Sequence, residues 1–119
     1  MSYIDGFVAA VPTANREAYR AYCTEAAAML REFGAVRVVE AWGDDVPHGK
    51  LTDMHLAVKA EPGETVCFSW IEWPSKAVRD AGMAKMMADP LLQPENRPMP
   101  LDGKRMIYGG FVPLLDEQV

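Results

Sequence analysis

Cysteine, histidine and clustered basic charge are all scarce in this chain, and each shortage excludes a class of function. There are two cysteines, Cys23 and Cys67, with no C-x-x-C pair. A thiol redox motif, a cysteine-based zinc site and a small disulfide scaffold therefore have no material to work with. Cys23 falls on the apolar stripe of an expected helix and Cys67 inside an expected strand, so both read as buried, inert thiols in a reducing cytoplasm. Two histidines and scattered acids support no Ser/His/Asp triad. The twelve Lys and Arg residues stand singly among seventeen Asp and Glu, for a net charge of -5. Nucleic-acid backbones and anionic membrane surfaces are held by clustered cations, so neither is an expected partner. Apolar stretches fall far short of the ~20 residues of a membrane helix. Residues 1–6 lack the basic and apolar regions of a signal peptide, and none is expected. No glycine-rich loop opens a helix, so Gly103-Lys104 carries no phosphate argument.

What the chain does contain is strand. Half of its 119 residues are hydrophobic, enough for the core of one domain spanning residues 1–119. Four apolar runs read as strands: Tyr3 to Val11, Ala35 to Trp42, Thr65 to Trp73 and Arg105 to Val112. Only two helices accompany them. The first is capped at Asn15, repeats Ala18/Tyr19, Tyr22/Cys23, Ala26, Met29/Leu30 and Phe33 at helical spacing, and closes at Gly34. The second is capped by Ser75 and runs to Ala88, with Ala77, Ala81, Ala84 and Ala88 as a small-residue stripe expected to lie close to the sheet. The resulting order is β-α-β-β-α-β, an α+β ferredoxin-like arrangement with an antiparallel four-stranded sheet. Every run carries large apolar residues at both odd and even positions, so both faces of the sheet ask to leave water. Two helices cover one face. A second copy of the chain is the most economical cover for the other, which predicts a homodimer paired sheet to sheet.

Alternation assigns the faces. Ile4, Gly6, Val8 and Ala10, with Val36, Val38, Trp42, Val66, Phe68, Trp70, Met106, Tyr108 and Val112, form the more apolar set and are expected against the helices. The opposite set holds Tyr3, Asp5, Phe7, Arg37, Ser69, Ile71, Trp73 and Arg105, and is expected at the subunit interface. With the first strand between the third and fourth, Asp5 is expected to reach Arg105 and Ser69, as a polar pocket or an ion pair at the interface. Two connections are long. Within 43–63, Leu51 to Ala60 fits either a short helix or an extra strand. The Asp89–Gly103 segment carries Pro90, Pro94, Pro98 and Pro100 and reads as an irregular loop. Asp44, Asp45, His48, Asp53 and His55 crowd together, but their spacing matches no established metal site and they read as solvated turn residues. No metal or other cofactor is expected.

The segments Asp5-Gly6-Phe7-Val8, Glu40-Ala41-Trp42-Gly43-Asp44-Asp45-Val46-Pro47, Phe68-Ser69-Trp70-Ile71-Glu72-Trp73-Pro74-Ser75-Lys76 and Met99-Pro100-Leu101-Asp102-Gly103-Lys104-Arg105-Met106-Ile107 resemble a bacterial family, domain of unknown function 1428. The likeness spans nearly the whole chain. It implies membership of the dimeric α/β-barrel superfamily, in which two ferredoxin-like sheets pack face to face, and it supplies no accepted activity. Some members carry a label tying them to signal-recognition RNA, which the acidic charge opposes. Superfamily analogy suggests a cofactor-independent, monooxygenase-like oxidation of a small aromatic molecule in a cleft between sheet and helices. The candidate ligand-pocket residues are Asp5, Trp42, His55, Ser69, Trp70, Arg105 and Tyr108. The competing reading is a non-catalytic homodimer that binds a small molecule or a partner, with the 89–103 loop as lid and Pro113-Leu114-Leu115 resting on the partner subunit.

Overall fold

Pro12 cannot extend the first strand's ladder, and a 3₁₀ turn at Thr13–Asn15 swings the chain into the first helix. The computed structural model describes residues 2–93 and 98–119, so Pro94 lies outside the described residues. The elements are β1 (Tyr3–Pro12), α1 (Arg16–Glu32), β2 (Arg37–Trp42), α2 (Met54–Ala57), β3 (Glu64–Trp73), α3 (Lys76–Ala88) and β4 (Ile107–Phe111). The fold is α+β, with one four-stranded antiparallel sheet in the order β2-β3-β1-β4. β1 and β3 form its spine, paired from Tyr3↔Trp73 to Pro12↔Glu64. No helix among the described residues is long and apolar enough to cross a membrane.

The helix ends follow the sequence closely, with one change of role. Gly34 adopts φ +115° just past α1, a conformation that side-chain-bearing residues rarely take. Ser75 caps α3 by accepting from the Val78 N–H at 3.2 Å. Asn15 stands at the start of α1 but does not cap it with its side chain. Its Nδ2 instead donates to the Pro100 carbonyl at 2.9 Å, tying the segment before β4 to the helix. Between Leu51 and Ala60 the short helix α2 forms, because Asp53 accepts from the Leu56 N–H at 2.6 Å and starts the turn. Lys59 and Ala60 then lead into β3, and Val58, 1 % exposed, packs with Ala10 and Val66.

The face assignment inverts on the two central strands. The core beneath the helices is Tyr3, Leu30, Ala35, Ile71, Trp73 and Met86, flanked by Phe7, Phe33 and Val78. Register places Tyr3, Asp5, Phe7 and Ala9 with Cys67, Ser69, Ile71 and Trp73 on that helix-covered side. Ile4, Gly6 and Val8, with Phe68, Trp70 and Val39, therefore lie on the uncovered side. On β2, Val38 and Trp42 do face α1 as expected. The reason is Asp5. Its charge suggested the open or subunit side, but α3 brings Arg79 to it and satisfies it beneath the helix. The alanine stripe of α3 is also displaced: Ala77, Ala81, Ala84 and Ala88 are exposed. The inward ridge is Val78, Gly82 and Met86, one residue round the helix, and Gly82 lets the backbone rest on the Trp73 ring.

Candidate functional site

Positions 16, 19, 23 and 27 of α1 fall on one helical face, and positions 38, 40 and 42 alternate onto the matching side of β2. Between them runs a cleft of about 350 Å³, with Arg16, Tyr19, Cys23, Ala27, Glu40 and Trp42 in its walls. It continues inward as a narrower space of about 190 Å³ walled by apolar side chains such as Phe7, Leu30, Ile71, Met86 and Met106. Tyr19, Cys23, Ala27, Val38 and Glu40 line both parts, so they stand at the junction.

Glu40 is the acid of this cleft. Its residue surface reaches solvent at the mouth, yet enough protein surrounds the carboxyl that burial pushes its pKa upward. Hydrogen bonds from Tyr19, Ser69 and Cys23 oppose that rise without cancelling it. The Tyr19 hydroxyl donates to Glu40 Oε1 at 2.7 Å. Ser69 is the cross-strand neighbour of Glu40, so sheet register itself supplies a donor. Burial and the Glu40 acceptor keep the Tyr19 phenol protonated. Burial and the Glu40 charge push the Cys23 thiol up to about 12 and Cys67 up to about 11. Neither is a thiolate at neutral pH, so neither is a ready nucleophile. At the mouth, the Arg16 guanidinium lies 5.8 Å from the Trp42 ring centroid, and Tyr19 tilts against the same ring at 6.4 Å. The result is an apolar slot with one hydrogen-bonding pole and a cationic lip. Such a slot can hold a small hydrophobic body and exchange a proton with a polar group on it.

The seven residues expected to line a pocket are distributed over several places. Trp42 and Ser69 belong to the cleft just described, at its mouth and its inner part. Asp5 is buried under α3, where Trp73 Nε1 donates to Oδ2 at 2.9 Å and Arg79 Nη2 donates to Oδ1 at 2.8 Å. It does not meet Arg105. That residue closes a 3₁₀ turn at the end of the sheet and clasps Glu64 through Nη2 at 2.7 Å, holding the Glu64 carboxyl down to about 2. His55 sits on α2, stacked on His48. Trp70 borders a concavity of about 590 Å³ on the uncovered side of the sheet, with Ile4, Val8, Phe68 and Phe111, whereas Tyr108 edges the same space from the face of its strand partner Phe7, its ring 6.3 Å from that ring. That space is larger than the cleft but has no acid or base among its lining residues. Glu40 and Tyr19 were missed as functional residues. The signal was present: alternation puts Glu40 on the face of Val38 and Trp42, where a carboxylate is out of place.

A family model described as "Protein of unknown function (DUF1428)" matches residues 2–103. "Uncharacterized protein YbaA" of Escherichia coli strain K12 is 57 % identical over 117 residues, covering 98 % of this chain and 100 % of that protein. Proteins of the same description from Escherichia coli O157:H7 and Shigella flexneri match with the same identity and coverage. These relatives carry the likeness past residue 103 and through β4.

Proposed function

The chain belongs to the DUF1428 family, proteins of unknown function, and we propose that this member is a cytoplasmic homodimer that binds a small aromatic molecule in its sheet–helix cleft. The domain, spanning residues 1–119, is ferredoxin-like: α1 and α3 lie over one face, Val58 after α2 covers only the Ala10–Val66 end of the other, and the sheet order is β2-β3-β1-β4. Two such sheets pack through their uncovered faces as a dimeric α/β barrel. Phe68, Ile107 and Phe111 are 43 %, 44 % and 59 % exposed on the face left bare, which supports a second copy as its cover. Strands about 4.8 Å apart and up to ten residues long make that face roughly 500 Å² in plan. A stable interface takes about 800 Å² from each partner. The segment after β4 supplies more, because Leu114 and Leu115 are fully or largely exposed and close enough in sequence to strap the partner. Two free thiols fit a reducing compartment. The net charge of -5 sets RNA and membrane surfaces outside this reading.

The observation that carries the ligand is Glu40, a carboxyl with a raised pKa at the pole of an apolar slot, hydrogen-bonded to Tyr19. The matching ligand has a flat apolar body and a phenol-like hydroxyl. The same group favours a catalytic reading as well. Removing the phenolic proton is the first step required of a cofactor-independent oxidation of an aromatic ring, and Glu40 is placed to accept it.

Fluorescence titration with 1-naphthol tests the site. Binding is expected to weaken about tenfold in Ala27→Phe, which fills the junction of the two parts of the cleft. Equal binding by the wild-type and filled proteins, with both shown to be folded, removes the cleft from the proposal.

A further inference from the structure

We propose that His48, Asp53 and His55 form a binding site for a borderline divalent transition metal, with zinc the representative ion. The three residues come from the loop before α2 and from α2 itself, remote in role from the Glu40 cleft. One ligand atom from each lies within 4.8 Å of the others. Of the five acids and histidines between 44 and 55, the fold gathers these three and leaves Asp44 and Asp45 exposed on the preceding turn.

Three observations make this more than a chance cluster. First, Asp53 is held in place. Its side chain is 7 % exposed, Oδ1 accepts from the Leu56 N–H at 2.6 Å, and Oδ2 accepts from the Gly49 N–H at 2.9 Å. A ligating carboxylate is commonly fixed by such outer hydrogen bonds, and each oxygen keeps a further lone pair. Second, the two imidazole rings stack with centroids 4.2 Å apart and planes 18° from parallel, and His48 Nδ1 lies 3.7 Å from Asp53 Oδ2. Both imidazoles are thus held beside the one carboxylate. Third, His55 Nδ1 is buried and has no hydrogen-bond partner. Buried polar atoms nearly always have one, and a ring nitrogen whose partner is an ion is a direct explanation. The turn also depends on Gly49, where a Cβ would collide with the Thr52 carbonyl, so the chain can fold His48 back over Asp53.

The donor set selects the ion. Two imidazoles and a carboxylate suit zinc, nickel and copper better than calcium or magnesium, which want oxygen alone. Metal–donor bonds of about 2.0–2.2 Å put tetrahedral ligand atoms roughly 3.3 Å apart, so the widest pair in the cluster must close by up to about 1.5 Å. His48 is free to provide that movement, because its side chain is 79 % exposed. Three protein ligands leave a fourth position to water, the arrangement of an open zinc site.

The test is titration of zinc chloride into the metal-stripped full chain, read by competition with a chromophoric chelator, with cobalt(II) substitution reporting the geometry. One zinc per chain and an intense tetrahedral cobalt visible spectrum are expected. His48→Ala, an exposed loop change that leaves the fold intact, should weaken zinc at least tenfold. The His48→Ala/His55→Ala pair should abolish it, and Asp45→Asn should have no effect. Zinc binding that the double substitution leaves unchanged, or no binding by the wild type, overturns the proposal. If the double variant unfolds by circular dichroism, His48→Ala alone decides, and equal affinity to wild type refutes the site.

Discussion

Asp5 is only 4 % exposed, and its place under α3 depends on two donors, Arg79 and Trp73. Removing one member of a buried pair leaves the other charge without compensation, which costs more than the pair's own net contribution. Arg79→Met is therefore expected to destabilise the fold by about 3 kcal/mol, read as a lower urea midpoint. Asp5→Asn, which keeps an acceptor for Trp73, should cost less. Glu40 has the opposite character, since its surroundings disfavour its charge. Its folded pKa lies above the unfolded value of about 4.3, so the native state holds a proton that the unfolded chain releases. Stability then falls as pH rises through the interval between the two values, and that loss persists at pH 7. Glu40→Gln keeps an acceptor for Tyr19 without the charge. It should melt above wild type at pH 7, and the difference should vanish at pH 4. Equal differences at both pH values would mean that burial does not penalise the Glu40 charge.

At the scale of elements, α3 shows how a backbone surface can outrank helix propensity. Alanine at a helical glycine normally gains about 1 kcal/mol. A Cβ at position 82, however, would lie 2.5 Å from the Trp73 ring and 2.8 Å from the Phe33 carbonyl, neither of which can yield cheaply. Overpacking of this kind costs typically 1–3 kcal/mol, and with rigid ring and backbone atoms in the way the upper part of that range applies, so Gly82→Ala is expected to lower stability by about 2 kcal/mol net. A gain in thermal midpoint would show that α3 can shift off the sheet. The same helix marks the limit of pattern reading. Its bounds were legible from Ser75 and Asp89, and those of α1 from Asn15 and Gly34, because caps and stops are local chemistry. Its inward side was not, because alanine and glycine both read as small and only the Trp73 ring distinguishes them. Strands gave the matching difficulty. Their positions were legible from β-branched and aromatic runs, but with Phe7 and Phe68 on opposite sides, alternation had no polar face to fix its phase. The apolar run starting at Arg105 suggests that β4 begins there, whereas Asp102 accepts from the Lys104 N–H and winds residues 103–105 into a 3₁₀ turn first.

At the scale of the molecule, the candidate site was legible only in part. Trp42 and Ser69 were named among its residues, but Glu40 and Tyr19 meet through a helix–strand contact 21 residues apart that spacing does not reveal. The apolar excess behind the dimer reading was legible throughout, since it needs only a count of large side chains on strands against the number of helices. Phe68 now offers the sharpest test of that reading. It lies 43 % exposed on the uncovered side of β3, contacts Trp70 at 5.9 Å between ring centroids, and takes no part in the core beneath the helices. Lysine at this position leaves the monomer's core unchanged but would place an unpaired charge between two apposed sheets. Buried aromatic anchors contribute upwards of 2 kcal/mol to an interface. A loss of about 3 kcal/mol is therefore expected, roughly a hundredfold in the dimer dissociation constant. Sedimentation equilibrium should find wild type at twice the chain mass of 13.2 kDa and Phe68→Lys at the single-chain mass, with matching circular dichroism spectra. A wild-type protein that sediments as a single chain at micromolar concentration would leave the uncovered face facing water and remove the dimer from the account.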